Sequence, residues 1–136
     1  PKFIHRILAN QPPIIYGDGE QTRDFIFVAD VARATILAAE QDVQGEAINI
    51  ACGQSMSINE LADRLIAAVG GNSLKPVYTD PQPGDIKYSA ADVSKAQNLL
   101  YFKPQCSLEK GLPETITHFE RSQSDIAISS PSTGED

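Results

Sequence analysis

The chain has 136 residues, a length that suits one domain with its own hydrophobic core and leaves little room for a second. Eleven Lys and Arg against eighteen Asp and Glu give a formal net charge of -7, so the overall field repels nucleic acid and anionic lipid surfaces. No apolar run approaches the ~20 residues that a membrane span requires. We therefore expect neither a nucleic-acid partner nor a membrane partner.

The two cysteines, Cys52 and Cys106, lie far apart in the sequence. Their spacing fits neither a zinc site nor the cysteine framework of a small secreted domain. We expect two buried or half-buried thiols, as is usual in the reducing cytoplasm. The cysteines therefore predict a cytoplasmic protein without a metal site.

The first half of the chain predicts helices that alternate with short strands. "FIHRILAN", residues 3–10, places its apolar side chains on one helical stripe. "TRDFIFVAD", residues 22–30, predicts a buried strand because aromatic and β-branched residues dominate it. Asp30 then suits the N-cap of a helix over residues 31–41. "EAINIA", residues 46–51, predicts a further strand.

The second half contains the clearest helix signal. Ser57 and Glu60 form a capping box, apolar residues follow at helical spacing, and Gly70 with Gly71 ends the helix. Three shorter elements come next, namely a strand, a turn and a helix: "KPVYT" at 75–79, "QPGD" at 82–85 and "DVSKAQNLL" at 92–100.

The last predicted helix carries a proline in its interior. Ser107 suits its N-cap, but Pro113 lacks a backbone donor, so the helix either kinks near Gly111 or begins there. Residues 122–136 are rich in Ser and acidic side chains and predict a disordered tail. Strands separated by helices indicate an α/β arrangement in residues 1–121, with too few strands for a complete doubly wound sheet.

The stretch "YGDGEQTRD" combines a glycine turn with a lone arginine. Gly17 and Gly19 flank Asp18, and Arg23 follows at the start of the predicted strand. One interpretation is an ordinary surface ion pair between Arg23 and Asp18, Glu20 or Asp24. The other is that Arg23 stays unpaired with neighbouring carboxylates and grips phosphate oxygens of a ligand.

Three ordered blocks of the chain carry a family resemblance. They are "PKFIHRILANQPPIIYGDGEQTRDFIFVADVARA", "GEAINIACGQSMSINELA" and "QPGDIKYSAADVSKAQNLLYFKPQCSLEKGL". Together they resemble the substrate-binding part of the extended short-chain dehydrogenase/reductase family, and within it the UDP-hexose and UDP-N-acetylhexosamine 4-epimerases. The resemblance runs from about residue 1 to residue 121 and implies the C-terminal part of a Rossmann-type epimerase without the main NAD-binding sheet.

The resemblance implies a set of substrate-binding residues. The backbone of Ile14 would meet the uracil edge, and Tyr16 would lie beside the base, although strand packing alone also explains a tyrosine there. Arg23 matches the arginine that holds the diphosphate. Asp85 matches an acidic residue that binds ribose hydroxyls, although a turn aspartate that bonds its own backbone is the alternative. Asp30 is interpreted as a helix cap and not as a site residue.

One position departs from the family pattern. Gln82 stands where the family commonly has a second arginine, so one charge-assisted contact to the phosphates is missing. Such a contact contributes roughly 1.5 to 3 kcal/mol, so affinity would be about tenfold or more lower. Lys87 could replace part of that contact as a point charge.

The resemblance also implies chemistry that this chain does not contain. The family binds NAD on a Gly-rich turn before a helix and uses a tyrosine followed four residues later by lysine, and neither pattern occurs here. His5 and His118 fall on helical patterns and have no catalytic partner. Because the chain also begins at Pro1 without methionine, we expect a portion of a longer protein that is inactive alone, with no catalytic residue and no bound cofactor.

Three functions stay open at this point. The first is the UDP-sugar-binding portion of an NAD-dependent 4-epimerase, the second is the same portion of a dehydratase or decarboxylase, and the third is a non-catalytic binding module. In the family, "EAINIA" and the helix before it complete the nucleotide-binding sheet. Here they would leave an unpaired edge, which predicts a homo-oligomer or a strand-exchanged dimer.

Overall fold

The structure is a computed structural model that describes residues 1–70 and 73–129, with side chains described through residue 122. It contains five helices and four short strands within those residues. In chain order they are α1 (Lys2–Leu8), β1 (Ile14–Tyr16), β2 (Thr22–Arg23), α2 (Val28–Glu40), β3 (Met56–Ser57), α3 (Ile58–Val69), β4 (Val77–Thr79), α4 (Ser94–Leu100) and α5 (Leu108–Ser129).

The strands form two small sheets. β1 and β4 pair in parallel, and Ile15 at the centre of β1 is fully buried. β2 and β3 pair antiparallel, with Thr22 opposite Ser57 and Arg23 opposite Met56. A single further bridge joins Thr22 to the segment at Tyr88. This mixture of helices and small parallel and antiparallel sheets confirms the predicted α/β class.

Two hydrophobic clusters hold the helices together. In the first, α1, α3 and α5 meet through five buried residues: Ile4, Ile7, Leu65, Ile66 and Ile116. In the second, α2 and α4 pack with the loop after α4 through Ala34, Ala96, Leu100 and Phe102. The small alanines in the second cluster allow the two helices to approach closely around the Phe102 ring.

Helix α3 begins and ends at the residues that the sequence predicts. The Ser57 hydroxyl accepts a hydrogen bond from the Glu60 N–H at 3.1 Å, and Gly70 adopts a left-handed φ of 81° after the last turn. Helix α1, strand β4 and helix α4 also confirm their predictions. In the "QPGD" turn, the Asp85 N–H donates to the Gln82 carbonyl at 3.2 Å.

The predicted strand over residues 22–30 is wrong beyond Arg23. Helix α2 already begins at Val28, so Asp30 lies in its first turn and is not its N-cap. Asp30 is only 2% exposed, and its carboxylate accepts backbone N–H groups of Gln105 and Cys106 at 2.9 to 3.0 Å. The Arg33 guanidinium also pairs with this carboxylate, with 2.8 Å between Nη2 and Oδ1. Asp30 therefore fastens a distant loop to α2, which a local capping rule does not anticipate.

The strand predicted for "EAINIA" is also wrong. Residues 46–51 form no ladder with any segment that the structure describes, so the apolar run stays irregular. The loop that follows is held by Asp24, whose two carboxylate oxygens accept the N–H groups of Cys52 and Gly53 at 2.9 and 2.8 Å. Without a neighbouring strand, β propensity alone does not produce a strand.

Helix α5 begins at Leu108 and contains Pro113 in its interior, so it does not begin at Gly111. The Ser107 carbonyl accepts the N–H of Gly111 at 2.9 Å, which closes the first turn before the proline. α5 runs through Ser129 and so includes the first part of the predicted disordered tail. The rest of that prediction, residues 130–136, lies outside the described residues.

The described helices include none that is long and apolar enough to cross a membrane.

Both cysteines are half-buried free thiols, as expected. Burial raises the pKa of Cys52, and burial also raises that of Cys106. Raised thiol pKa values keep both groups protonated near neutral pH, which favours a structural role for them.

Candidate functional site

The glycine turn after β1 is fastened to the first turn of α3. Gly17 and Gly19 have φ values of 76° and 74°, which side chains with a Cβ rarely adopt. The Asn59 side-chain amide donates to the Asp18 carbonyl at 3.0 Å and to the Glu20 carboxylate at 2.7 Å. A Cβ on Gly19 would lie 1.9 Å from Asn59 Oδ1, so position 19 has no room for a larger residue.

A small cavity opens beside this turn and has a volume of about 160 Å³. Four of the six predicted substrate-binding residues line it: Tyr16, Gln82, Asp85 and Lys87. They come from β1 and from the segment after β4, which the parallel β1–β4 pairing brings side by side. Ile14 lies at the start of β1 opposite Val77 and does not line the cavity, and neither does Arg23.

The Arg23 guanidinium is tied down on three sides. Nη2 forms an ion pair with the Asp85 carboxylate, and Nη1 donates to the carbonyls of Thr22 and Ile86, both at 2.7 Å. The prediction that Arg23 stays unpaired with carboxylates is therefore wrong. Its partner is 62 residues away in the chain, where local sequence offers no hint.

The three carboxylates that sequence proximity suggested for Arg23 each take another donor. Asp18 pairs with Lys87, whose Nζ lies 2.8 and 2.5 Å from the two carboxylate oxygens. The Glu20 carboxylate accepts a hydrogen bond from the Asn59 amide, and the Asp24 carboxylate accepts hydrogen bonds from backbone N–H groups. The ordinary local ion pair for Arg23 is therefore also wrong. Two separate pairs form instead: Lys87 with Asp18, which both line the cavity, and Arg23 with Asp85, of which only Asp85 lines it.

These pairs leave the site close to neutral. The hydrogen bond from Lys87 holds the pKa of Asp18 below its usual value, and the same bond raises the pKa of Lys87. Both groups therefore stay charged near neutral pH. A guanidinium has five N–H donors, and within the described residues Arg23 uses three of them. Its Nε–H and one Nη2–H form no hydrogen bond with the described residues.

Two residues that organise the site were missed in the sequence. Gln21 is buried, and its amide donates to the Tyr16 carbonyl at 2.8 Å and to the Asp85 carboxylate at 3.5 Å. Asn59 holds the glycine turn and accepts the Tyr78 hydroxyl at 3.0 Å. Asn59 could have been found, because it lies two residues after the Ser57 cap, in the first turn of the predicted helix and next to the loop before it. Nothing in the local pattern marks Gln21.

The largest cavity lies elsewhere in the molecule. It has a volume of about 720 Å³ and is lined mainly by apolar side chains of α1, α3, the start of α5 and residues 25–27. Few polar groups converge there, whereas ligand sites combine an apolar wall with several placed polar groups. We assign the candidate site to the smaller cavity at the glycine turn, because four of the six predicted substrate-binding residues line it.

The described residues do not fit NAD. The turn at residues 17–19 leads into β2, so no helix N-terminus stands behind it to receive a pyrophosphate as in a dinucleotide fold.

The two histidines lie beside an aromatic ring, with the His5 ring centre 4.9 Å and the His118 ring centre 5.7 Å from that of Phe119. Both histidine side chains are exposed on their helices.

Comparison with known proteins decides the family. The family model described as GDP-mannose 4,6 dehydratase matches residues 1–115. The chain belongs to this family. The resemblance to the NAD-dependent epimerase/dehydratase branch of the short-chain dehydrogenases/reductases is thereby confirmed, and so is the likeness to UDP-sugar 4-epimerases, which the following relatives carry in their names.

A UDP-N-acetylglucosamine 4-epimerase from Methanobrevibacter ruminantium, solved with UDP-N-acetylmuramic acid, is 44% identical, with a TM-score of 0.82 over 90% of this chain and 39% of that one. A UDP-glucuronic acid 4-epimerase from Bacillus cereus, solved with UDP-glucuronic acid and NAD, is 34% identical, with a TM-score of 0.82 over 89% and 39%. A UDP-N-acetyl-alpha-D-glucosaminuronate decarboxylase from Bacillus cytotoxicus is 35% identical over 92% of this chain and 40% of its own. The chain spans about 35 to 40% of the length of the curated relatives it matches.

Proposed function

We propose that this chain is the UDP-sugar-binding, C-terminal part of an NAD-dependent nucleotide-sugar 4-epimerase. The observation that carries the proposal is the convergence of Tyr16, Gln82, Asp85 and Lys87 on one cavity, although they lie in two segments separated by α2 and α3. An aromatic face, a carboxylate and a cation are the groups that a base, a ribose and a phosphate require.

The Arg23 ion pair is compatible with this role. A guanidinium that is already held by Asp85 and two carbonyls loses little freedom when a ligand binds, and its remaining two donors can form a bidentate contact with phosphate oxygens. The Asp85 carboxylate keeps lone pairs for ribose hydroxyls. Arg23 is therefore proposed as a preorganised phosphate ligand, and Ile14 as a backbone contact next to Tyr16.

The cavity is too small to enclose a nucleotide sugar. Ligand pockets usually measure about 300 to 1,000 Å³, against about 160 Å³ here. We propose that the chain contributes one wall of the site and that the rest, with NAD and the catalytic tyrosine and lysine, belongs to the part of the family fold that it does not span. The isolated chain should then bind nucleotide but not catalyse.

Two other functions have specific support. The matching family model is that of a dehydratase, and one relative is a decarboxylase, so the same substrate portion serves more than one chemistry. A Gly-rich turn and a Tyr-Lys pair encoded upstream would favour an enzyme over a stand-alone binding module. The mass and stereochemistry of the products that the complete protein forms from a UDP-hexose and from a UDP-hexuronic acid separate the three reactions, because an epimerase conserves the mass, a dehydratase releases water and a decarboxylase releases carbon dioxide.

Thermal unfolding of this chain with UDP-, GDP- and dTDP-sugars and with NAD tests the binding proposal. A ligand at about 100 times its dissociation constant stabilises the folded state by roughly 2.7 kcal/mol. We expect a rise in melting temperature with UDP-sugars and none with NAD. A response to NAD alone would contradict the assignment of this chain to the substrate part.

Replacing Gln82 by arginine is expected to raise the affinity for UDP about tenfold, because it restores a charge-assisted contact of the kind that the family commonly has. Gln82 lines the cavity and is exposed, so the longer side chain has room. Isothermal titration with UDP measures the change, and Gln82→Met serves as the control of similar length without charge. Equal gains in both variants would show that the charge is not responsible.

Self-association is expected to involve the outer face of α2. Val28 and Ile36 are 73% and 58% exposed there, and residues 46–50 beside them form no ladder within the described part of the chain. We propose a homo-oligomer in solution, by this helix face or by exchange of the unpaired segment. Light scattering at micromolar concentrations measures it. A monodisperse monomer, unchanged by Val28→Glu, would contradict the proposal.

A further inference from the structure

The two ion pairs at the cavity differ in how firmly they are held. In the first pair, Arg23 and Asp85 have side chains that are 29% and 35% exposed, and Gln21 and two backbone carbonyls restrain them further. In the second pair, Lys87 and Asp18 are 46% and 61% exposed. The second pair is the one that a ligand can separate at low cost, because exposed ion pairs contribute little to stability.

Asp18 can release Lys87 without disturbing the turn. Its backbone is held through the Asn59 amide on its carbonyl, while its carboxylate accepts the Glu20 N–H at 3.0 Å besides the Lys87 ammonium. The Lys87 backbone is fixed as well, since its carbonyl accepts the Thr22 N–H at 2.8 Å. The ammonium group therefore moves on a flexible stem at the edge of the cavity, and the carboxylate moves on a fixed turn.

We propose that Asp18 is an intramolecular competitor of the ligand, whose carboxylate holds the Lys87 ammonium until a phosphate oxygen takes its place. The inference rests on the proposed function for the identity of the anion, a nucleoside diphosphate. It assigns Asp18 a role in anion affinity that the resemblance does not attach to it. Lys87 thereby replaces part of the contact missing at Gln82, but only after an exchange of partners.

The exchange lowers the affinity for every anion by a similar factor, so that only a ligand with further contacts binds at low concentration. A carboxylate tethered this closely acts at an effective concentration on the order of millimolar. A free anion must exceed that concentration to displace Asp18, unless contacts to a base and a ribose help it. A UDP group has such contacts at Tyr16 and Asp85, whereas inorganic pyrophosphate lacks them. The ion pair between Asp18 and Lys87 thus keeps the ammonium group from binding small anions at low concentration.

Titration calorimetry of the chain and of Asp18→Asn tests the inference, with inorganic pyrophosphate, UDP and uridine as probes. Asparagine keeps an oxygen for the Glu20 N–H, so the turn is retained. Asp18→Asn is expected to bind pyrophosphate and UDP about tenfold more tightly and uridine unchanged. The gain should vanish when Lys87→Met is also present. Asp80→Asn is the matched control, because Asp80 is an exposed carboxylate nearby that does not contact Lys87.

The outcomes separate this inference from the proposed function. If the chain binds UDP and Asp18→Asn gains nothing, or gains no more than Asp80→Asn, the inference is wrong and the function stands. If Asp18→Asn binds pyrophosphate more tightly but no variant binds UDP better than pyrophosphate, the exchange is supported and the nucleotide assignment is wrong. If neither protein binds any of these anions at millimolar concentration, both are wrong.

Discussion

Replacing Arg23 by alanine is expected to lower the affinity for UDP at least about a hundredfold. Two charge-assisted hydrogen bonds to the diphosphate would be lost, each contributing roughly 1.5 to 3 kcal/mol. Asp85 would also lose its ion-pair partner and leave a carboxylate facing the phosphates. Isothermal titration with UDP measures the loss. Arg23→Lys should recover little of it, because an ammonium group cannot reproduce the planar fork that the site uses.

Arg64 offers a matched control for this experiment. It also bridges carboxylates, those of Glu60 and Glu109, but neither of these lines the cavity at the glycine turn, whereas Asp85, the partner of Arg23, does. Arg64→Ala should leave the UDP affinity within about threefold while changing the net charge by the same amount. A small effect of Arg23→Ala, or an equal effect of both substitutions, would show that Arg23 is a structural residue only.

Replacing Asp30 by alanine is expected to destabilise the chain by about 3 kcal/mol, because a buried ion pair and several hydrogen bonds lose their acceptor. The backbone N–H groups of Gln105 and Cys106 and the Arg33 guanidinium would all be left without the carboxylate. Urea unfolding of the purified variant measures the loss. Asp30→Asn keeps one oxygen acceptor and should cost less. A loss under about 0.5 kcal/mol for alanine would contradict the role of Asp30 as the link between α2 and the loop before α5.

The same carboxylate predicts a dependence of stability on pH. Burial acts to raise the pKa of Asp30, but hydrogen bonds from Arg33, Cys106 and Gln105 outweigh it and lower the pKa from its ordinary value of 3.8. A lowered folded-state pKa stabilises the fold above the ordinary value, and this stability is lost as the pH falls through the folded-state pKa. Acid unfolding of the wild type should therefore be steeper below pH 3.8 than that of Asp30→Asn.

The sequence predicted best those features whose partners are close in the chain. The Ser57 cap, the Gly70 end of α3 and the turn before Asp85 depend on residues within a few positions of each other. A capping hydrogen bond or a left-handed glycine is a local property, so pattern and propensity are sufficient to predict it. The same logic predicted helices α1 and α4 correctly.

Features that depend on distant partners were predicted less well. The run after Arg23 has strand composition, but only two of its residues find a neighbouring strand, and "EAINIA" finds none in the described part of the chain. The Asp30 carboxylate accepts a backbone hydrogen bond from a loop 75 residues away, and Arg23 pairs with a carboxylate 62 residues away. Pairing of this kind is decided by tertiary structure, which strand propensity does not contain.

The candidate site shows the same division. Family resemblance selected Tyr16 and Asp85, the departure at Gln82 suggested Lys87 as a substitute cation, and the structure brings these residues to one cavity. The resemblance did not indicate that both cations would be engaged by aspartates. A phosphate group that binds at this site therefore has to compete with aspartate carboxylates for both cations.

Nuclear magnetic resonance titration of this chain with UDP tests the central claim most directly, because the arginine Nε–H signals report on the free donor of Arg23. The account predicts that the Arg23 signal and the backbone signals of residues 14–23 and 82–87 shift together with one dissociation constant, while those of α5 stay in place. Shifts confined to the large apolar cavity, or an unmoved Arg23 signal at saturating UDP, would contradict it.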